Sequence, residues 1–370
     1  EFLSWIQGPL FQMVSLLIKE KRSHFSLINA ISELCAQFQP GVMASIRRAG
    51  ADSTIKRVES YHKLYPEAAK ACWYPEVFEK MDKPEWQQLY VNAEHNGSTG
   101  VITIGRESYN GDVDNELNRT IDWLHTEDIK NVIVTGDFHL STQMVGADTR
   151  DFFPALKKVE EGIKISSSWS KTARRLHEEF EVSVGYINGK RCLGGFLELL
   201  IHCHYLISVE DAMLGMPEVT LPVVPGMEGC HWSFRKTNNE NRHKLLKLLL
   251  EAEQVSAKDA VGWLIDYAGS HNEALQITWK IASGKDHGLV KRDVKENALD
   301  EISFDIKLQA SDNPGMEAAR KAIIETIRDS CCVDLKEALI IQAKHSAEFM
   351  ISNACKYGRI GEEYKRVMDV

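Results

Sequence analysis

The stretch Ile187-Asn-Gly-Lys-Arg-Cys-Leu-Gly-Gly-Phe-Leu-Glu198 decides the fold. Val182 to Ile187 reads as a strand, Asn188-Gly189 as a turn, and Gly194-Gly195 as the opening of an apolar helix. Neither glycine carries a side chain, so a ligand can approach this backbone closely. The first N–H groups of a helix have no partner within it and lie at the positive end of its dipole. They are suited to hold a carbonyl oxygen as it gains negative charge. Glu198 follows Gly195 by about one turn, near the same helix end. Glu218 closes the next block, Leu214-Gly-Met-Pro-Glu218, directly after a proline.

Working upstream, Val132-Ile-Val-Thr-Gly136 reads as a buried strand. A polar loop, Asp137 to Val145, then leads to Gly146-Ala-Asp148. Leu89 to His95 and Val101 to Gly105 alternate as strands, with Asn96-Gly97 between them as a hairpin signal. Asp114 to Leu124 is expected as a helix, giving a βαβ rhythm and parallel pairing. Residues 150 to 180 are expected as a helical insertion in which Ser166-Ser-Ser168 marks a turn. Downstream, Ser208 to Leu214 reads as a short strand pair and Asn241 to Glu253 as an amphipathic helix. Residues 284 to 300 read as a polar linker, and the remainder to Tyr357 as helix broken at Asn313-Pro-Gly315.

The first 88 residues look helical. Leu3, Ile6, Leu10, Met13, Leu16 and Leu17 keep a helical period that Gly8-Pro9 is expected to interrupt. Ser26 to Phe38 is a second run, stopped by Pro40-Gly41, and Asp52-Ser53 is expected to cap a third through Leu64. Pro66, Pro75 and Pro84 each suit the start of a short helix.

These blocks resemble the enoyl-CoA hydratase (crotonase) superfamily. The resemblance rests on Asn188-Gly-x-x-x-x-Gly-Gly-x-x-Glu198, Pro217-Glu218, Pro225-Gly-Met-Glu-Gly229, Val132 to Gly136 with Gly146-Ala-Asp148, and Val255-Ser-Ala-Lys-Asp-Ala-Val-Gly262. It runs from about Tyr90 to about Tyr267. It implies an α/β fold with a crotonase-like ββα superhelix, or spiral, over residues 89–284. An N-terminal helical domain (1–88) and a C-terminal helical region (285–370) would flank it.

The implied activity is hydration of a 2-enoyl-CoA to a 3-hydroxyacyl-CoA. Backbone N–H groups of Ala147 and Gly195 would form the oxyanion hole. Glu198 would act as base toward water and Glu218 would deliver the proton to C2. Gly146, Asp148, Gly194, Gly226 and Gly229 would shape the substrate site. Asp148 reads more readily as a helix N-cap, and Gly226 and Gly229 equally as turn glycines. Two close carboxyls cannot both ionise cheaply, so the pair should titrate together and share one proton. Alternatives within the superfamily are a ring-opening hydrolase or an isomerase acting on a cyclic acyl-CoA. A catalytically idle CoA-binding scaffold is a third reading.

The match has departures. Glu107 stands where many family members carry Lys or Arg toward the CoA phosphates, and Arg106 is the candidate to compensate. Phe196 and Leu197 are bulky and expected to narrow the pocket; Lys356 and Arg359 are candidates for the adenine end.

Length and charge set the remaining bounds. A chain of 370 residues fits one large domain plus an appendage, and 44% hydrophobic residues suffice for a packed core. A net charge of −9 argues against nucleic acid as a partner. The apolar stretch from Leu10 to Ile18 is too short to span a membrane. Eight cysteines without framework spacing point to reduced thiols in the cytoplasm. His202-Cys203-His204 has the wrong spacing for a helical metal site. The hydratase that the resemblance implies is expected to use no metal and no redox cofactor, with coenzyme A entering as part of the substrate. The family resemblance implies a homotrimer or hexamer and a fused or associated 3-hydroxyacyl-CoA dehydrogenase.

Overall fold

The computed structural model describes residues 2–136 and 143–368, so most of the expected loop from Asp137 lies outside it. The chain divides into two compact units, Glu1–Asn92 and Ala93–Val370.

The first unit is helical: α1 (Phe2–Lys19), α2 (Phe25–Leu34), α3 (Val42–Ala49), α4 (Ala51–Leu64) and α5 (Pro84–Gln87). Short 3₁₀ turns cover Ala68–Lys70 and Pro75–Phe78. Two expectations fail here. Helix α1 runs through Gly8-Pro9 without a break. An interior proline costs roughly 3 kcal/mol, but Gly8 lets α1 close onto α4. A Cβ on Gly8 would lie 2.4 Å from that of Tyr61. Helix α4 begins before Asp52-Ser53, because Gly50 takes the capping position with φ of 78°, open to glycine and awkward for other residues. Phe11, Val14, Met43, Ile46, Val58, Phe78 and Trp86 are buried.

The second unit is built from a repeating pattern. Its strands are β1 (Val91–His95), β2 (Thr99–Ile104), β3 (Asn131–Gly136), β4 (Gln143–Val145), β5 (Val182–Ile187), β6 (Arg191–Leu193), β7 (Tyr205–Val209), β8 (Met213–Gly215), β9 (Val255–Ser256) and β10 (Tyr267–Gly269). One sheet has the order β1-β2-β3-β5-β7-β10 and the other β4-β6-β8-β9. Each successive pair, β3/β4, β5/β6 and β7/β8, thus gives one strand to the large sheet and one to the small sheet. That alternation is a ββα spiral. Within it β3, β5 and β7 run parallel, as do β4, β6 and β8. Ser208 to Leu214 accordingly contributes to two different sheets instead of forming one strand pair.

Helices α6 (Gly111–Thr126), α7 (Val159–Glu178), α8 (Gly195–Leu200), α9 (Trp232–Lys236), α10 (Arg242–Leu250), α11 (Ala257–Ala260) and α12 (His271–Ala282) cover the sheets. Helix α7 continues through Ser166-Ser-Ser168, where a turn was expected. Serine weakens a helix by bonding its own backbone. Here the Ser166 and Ser170 hydroxyls instead donate to the carbonyl of Gly226, and Ser168 donates to Asp114.

Residues 284–300 contain no helix or strand. Then come α13 (Pro314–Cys331), α14 (Leu335–Met350), α15 (Asn353–Lys356) and α16 (Arg359–Met368). Asn313-Pro-Gly315 starts a helix where a break was expected: Pro314 occupies the first turn and the Asn313 side chain accepts from the Gly315 and Met316 amides. Helix α14 packs along α7, which brings C-terminal side chains over the spiral. No described helix is long and apolar enough to cross a membrane.

Candidate active site

The small sheet positions the site. Its parallel strands β4, β6 and β8 end side by side, and each is followed by a turn that carries a site residue. The pairing continues one residue past the strands: the Gly146 amide donates to the Leu193 carbonyl (2.6 Å) and the Gly194 amide to the Gly215 carbonyl (2.9 Å). Gly146 and Gly194 then turn with positive φ, 68° and 54°. Ala147, Gly195 and Glu218 therefore emerge at one place from three successive repeats.

The amides of Ala147 and Gly195 come close together. A Cβ built on Gly195 would lie 3.5 Å from the Ala147 nitrogen. The carbonyl of Gly146 accepts from the Tyr109 amide, and the Asp148 amide donates to the Tyr109 carbonyl (2.8 Å). This leaves the Ala147 amide between two anchored neighbours. Gly195 opens α8, so its amide needs no partner within the helix.

Both glutamates are buried, Glu198 at 3% and Glu218 at 9% exposure. Glu198 lies in the first turn of α8, and its Oε1 accepts from the amides of Met227 (2.8 Å) and Gly229 (2.9 Å). Burial pushes its carboxyl up to about 7; the amides of Gly229, Met227 and Gly226 oppose the shift and the charge of Glu228 adds to it. Glu218 sits in the short turn Pro217–Thr220, and its Oε2 has no hydrogen-bond partner. Burial, and then the neighbouring Glu198, raises it to about 8. The two carboxyls face each other's charge in a desolvated space, so near neutral pH they retain a shared proton.

Both open into a cavity of about 550 Å³. Gly146, Ala147, Gly195, Glu198, Glu218 and Gly226 line it. The other three residues expected at the substrate are not among its lining. Gly194 backs Glu218: a Cβ there would stand 2.7 Å from Oε1 of that carboxyl. Gly229 backs Glu198 in the same way, at 2.8 Å from its Oε1. Asp148 caps the turn Thr149–Phe152 and pairs with Arg106 at 2.9 Å. That pairing engages the guanidinium that was the candidate to replace a basic residue at position 107. Phe196 and Leu197 are fully buried and absent from the lining, so they do not narrow the pocket. Arg359 does line it, at the start of α16. Among the described residues no group of three or more His, Cys, Asp or Glu could hold a metal.

Sequence reading missed the apolar wall. Phe152, Ile165, Trp169, Leu221, Val223 and Met350 line the cavity. Their separation along the chain gives no local signal; only α7 packing against α14 brings several together. It also missed a buried ionic cluster under the site. Glu228 accepts from the Arg174 guanidinium at Nε (2.8 Å) and Nη2 (2.5 Å) and faces His202 (3.4 Å) and His231 (3.1 Å).

Known proteins similar to this chain bear on its fold and family resemblance. No protein-family model matches the chain. A probable enoyl-CoA hydratase of Bacillus subtilis is 29% identical over 160 residues, which cover 43% of this chain and 59% of that protein. The fatty acid oxidation complex subunit alpha of Idiomarina loihiensis is 29% identical over 205 residues, covering 53% of this chain and 27% of that one. The chain thus spans little more than half, and about a quarter, of these relatives' lengths. Among solved structures, a carnitinyl-CoA dehydratase of Mycobacterium thermoresistibile superposes with a TM-score of 0.55 at 14% identity, over 76% of this chain and 89% of that one. An enoyl-CoA hydratase of Rhodobacter sphaeroides gives 0.53 at 18%, over 74% and 90%. The fold is crotonase-like. In sequence and fold together the chain resembles the enoyl-CoA hydratase (crotonase) superfamily.

Proposed function

We propose that the chain is an enoyl-CoA hydratase, adding water syn across the double bond of a 2-enoyl-CoA to give a 3-hydroxyacyl-CoA. One observation carries this reading: two buried carboxyls and two adjacent amides open into the same cavity. The thioester oxygen would sit against the Ala147 and Gly195 N–H groups, which stabilise the enolate formed when water attacks C3. Water would lie between the carboxyls. Glu198, held by its amides, takes the water proton; Glu218 gives its proton to C2. The acid, the base and the electron-withdrawing amides are all supplied by the chain, and the reaction is redox-neutral, so it calls for no metal or redox cofactor.

The apolar wall suits the hydrocarbon part of an acyl chain. The similarity to a fatty acid oxidation subunit supports a place beside a 3-hydroxyacyl-CoA dehydrogenase, fused or associated, which would consume the product. From the superfamily resemblance we propose a homotrimer or hexamer, and from cysteines without framework spacing a cytoplasmic location.

The test is spectrophotometric. Mixed with crotonyl-CoA, the protein is expected to remove the enone absorbance. Absence of any loss with straight-chain enoyl-CoA esters of several lengths overturns the assignment.

A further inference from the structure

Glu228 is fully buried, and its backbone has φ of 69°, in the left-handed region that a non-glycine residue enters at a cost. The turn has a consequence at the site. It aims the amides on either side of Glu228, those of Met227 and Gly229, at one oxygen of Glu198. Backbone N–H groups of one turn aimed inward in this way form a concave seat for a carboxylate.

The Glu228 side chain points away from that seat into a fixed cage. Arg174 of α7 holds it through two nitrogens, and the same guanidinium also donates to the Leu335 carbonyl at the start of α14. His231, three residues along, lies 3.1 Å away. His202 lies 3.4 Å away, and its Nδ1 donates to the backbone carbonyl of Glu198 at 2.7 Å. Both ends of Glu198 are therefore tied to the cage: its carboxylate through the Glu228 turn, its backbone through His202. The rest of the turn is pinned separately. Gln342 donates to the Pro225 carbonyl and accepts from the Cys230 amide, and Ser346 donates to the Val224 carbonyl.

We propose that Glu228 is a positioning residue for Glu198, with Arg174 as its clamp: the pair holds a strained turn whose amides fix the catalytic carboxyl. This rests on the hydratase reading above. The charged and titratable groups facing the cluster are Arg174, His202 and His231 around Glu228, Arg235 of α9 near His231, and Glu218 and Cys230 around Glu198. Burial would raise the Glu228 carboxyl, but His202, His231 and Arg174 outweigh it and hold the group well below the usual carboxylate range. Glu228 is thus an anion at working pH, and its charge raises Glu198. Deleting that charge lowers Glu198.

The experiment measures kcat and KM against pH for the full chain with crotonyl-CoA. Glu228→Gln is expected to lower kcat about tenfold or more through misplacement of the base, and to move the acid limb of kcat/KM to lower pH by about one unit. Arg174→Lys keeps the charge but loses the two-nitrogen grip. It should lower kcat about tenfold with KM within about threefold and the limb unmoved. If Glu228→Gln does not fold, the kcat and KM of Arg174→Lys decide. Folded variants that melt earlier but keep the wild-type kcat and limb overturn the proposal, leaving Glu228 a purely structural residue. A wild-type chain inactive on all enoyl-CoA esters overturns the hydratase reading itself, a separate outcome.

Discussion

Glu198 and Glu218 share one cavity and similar burial, but the regions that carry them hold them differently. Glu198 is seated in a turn of converging amides, backed by Glu228 and Arg174. Glu218 stands at the end of β8 with one oxygen unpartnered. A carboxyl held by two amides at one oxygen has a fixed orientation, which suits the proposed base that must meet one water. A carboxyl with an unengaged oxygen in a dry site keeps its proton, as an acid requires. The difference in partners supports the proposed roles, Glu198 as base and Glu218 as acid.

The largest expected effect tests this assignment directly. Glu198→Gln and Glu218→Gln should each cost about two orders of magnitude or more in turnover, in line with acid–base roles. Stopped-flow or steady-state loss of the enone signal measures both. Near-normal turnover in either variant removes that residue from the chemistry.

A smaller effect compares the two glycines behind the carboxyls. Gly194→Ala combines a positive φ with a Cβ 2.7 Å from Glu218. Gly229→Ala meets Glu198 at 2.8 Å and Pro225 at 3.1 Å without that backbone penalty. Both should slow turnover by about tenfold to a hundredfold, because a displacement of an ångström at a reacting group costs that much. Gly194→Ala should be the worse. Equal or reversed losses would mean that the backbone conformation after β6 contributes nothing to the site.

These two glycines also show what a sequence can and cannot disclose. Gly194 was visible because it forms a glycine pair with Gly195 after a strand, with Glu198 about one turn on; Gly229 was visible only through the resemblance and read equally as a turn glycine. The spiral was legible in outline from strand–helix rhythm and the ordered blocks. Its key device was not: β4, β6 and β8 have three residues each, too short for any period to register. Pro9 and Ser166 to Ser168 misled because tertiary partners, Tyr61 and the Gly226 carbonyl, override local preference. The Glu228 cage was invisible for a different reason. Arg174, His202, Glu228 and His231 come from separate segments, and only the last two are near neighbours in the chain.

Stability separates the two regions further. Glu198→Ala strips partners from the Met227 and Gly229 amides, and each buried orphan donor costs about 1–3 kcal/mol. The variant should melt several degrees below the wild type, at roughly 2 °C per kcal/mol for a unit of this size. Glu218→Ala orphans no donor at its unpartnered oxygen and should melt at or above the Glu198→Ala value throughout. Calorimetry on the two proteins side by side is the check, and equal losses would show that the turn does not depend on its carboxylate.

The smallest effect is a pH dependence. Glu218 titrates at about 8 in the folded chain against 4.5 for an ordinary glutamate. For an acid raised on folding, the stabilising contribution is full below the unfolded value and is lost as pH rises through the folded one. Wild-type stability should therefore decline between about pH 4.5 and pH 8 on account of this group. Glu218→Gln, which cannot ionise, removes that decline and relieves Glu198 of its raised partner. The variant should match the wild type near pH 4.5 and exceed it at pH 8.5, read as a higher Tm at the alkaline end. Glu228→Gln should be flat against the wild type over that range and converge on it only below about pH 4.5, since the Glu228 carboxyl is held low in the fold and its contribution is lost only as pH falls toward the folded value. Parallel curves for the two variants would show that the cavity carboxyl and the caged one feel the same environment, and the contrast between the two regions would be lost.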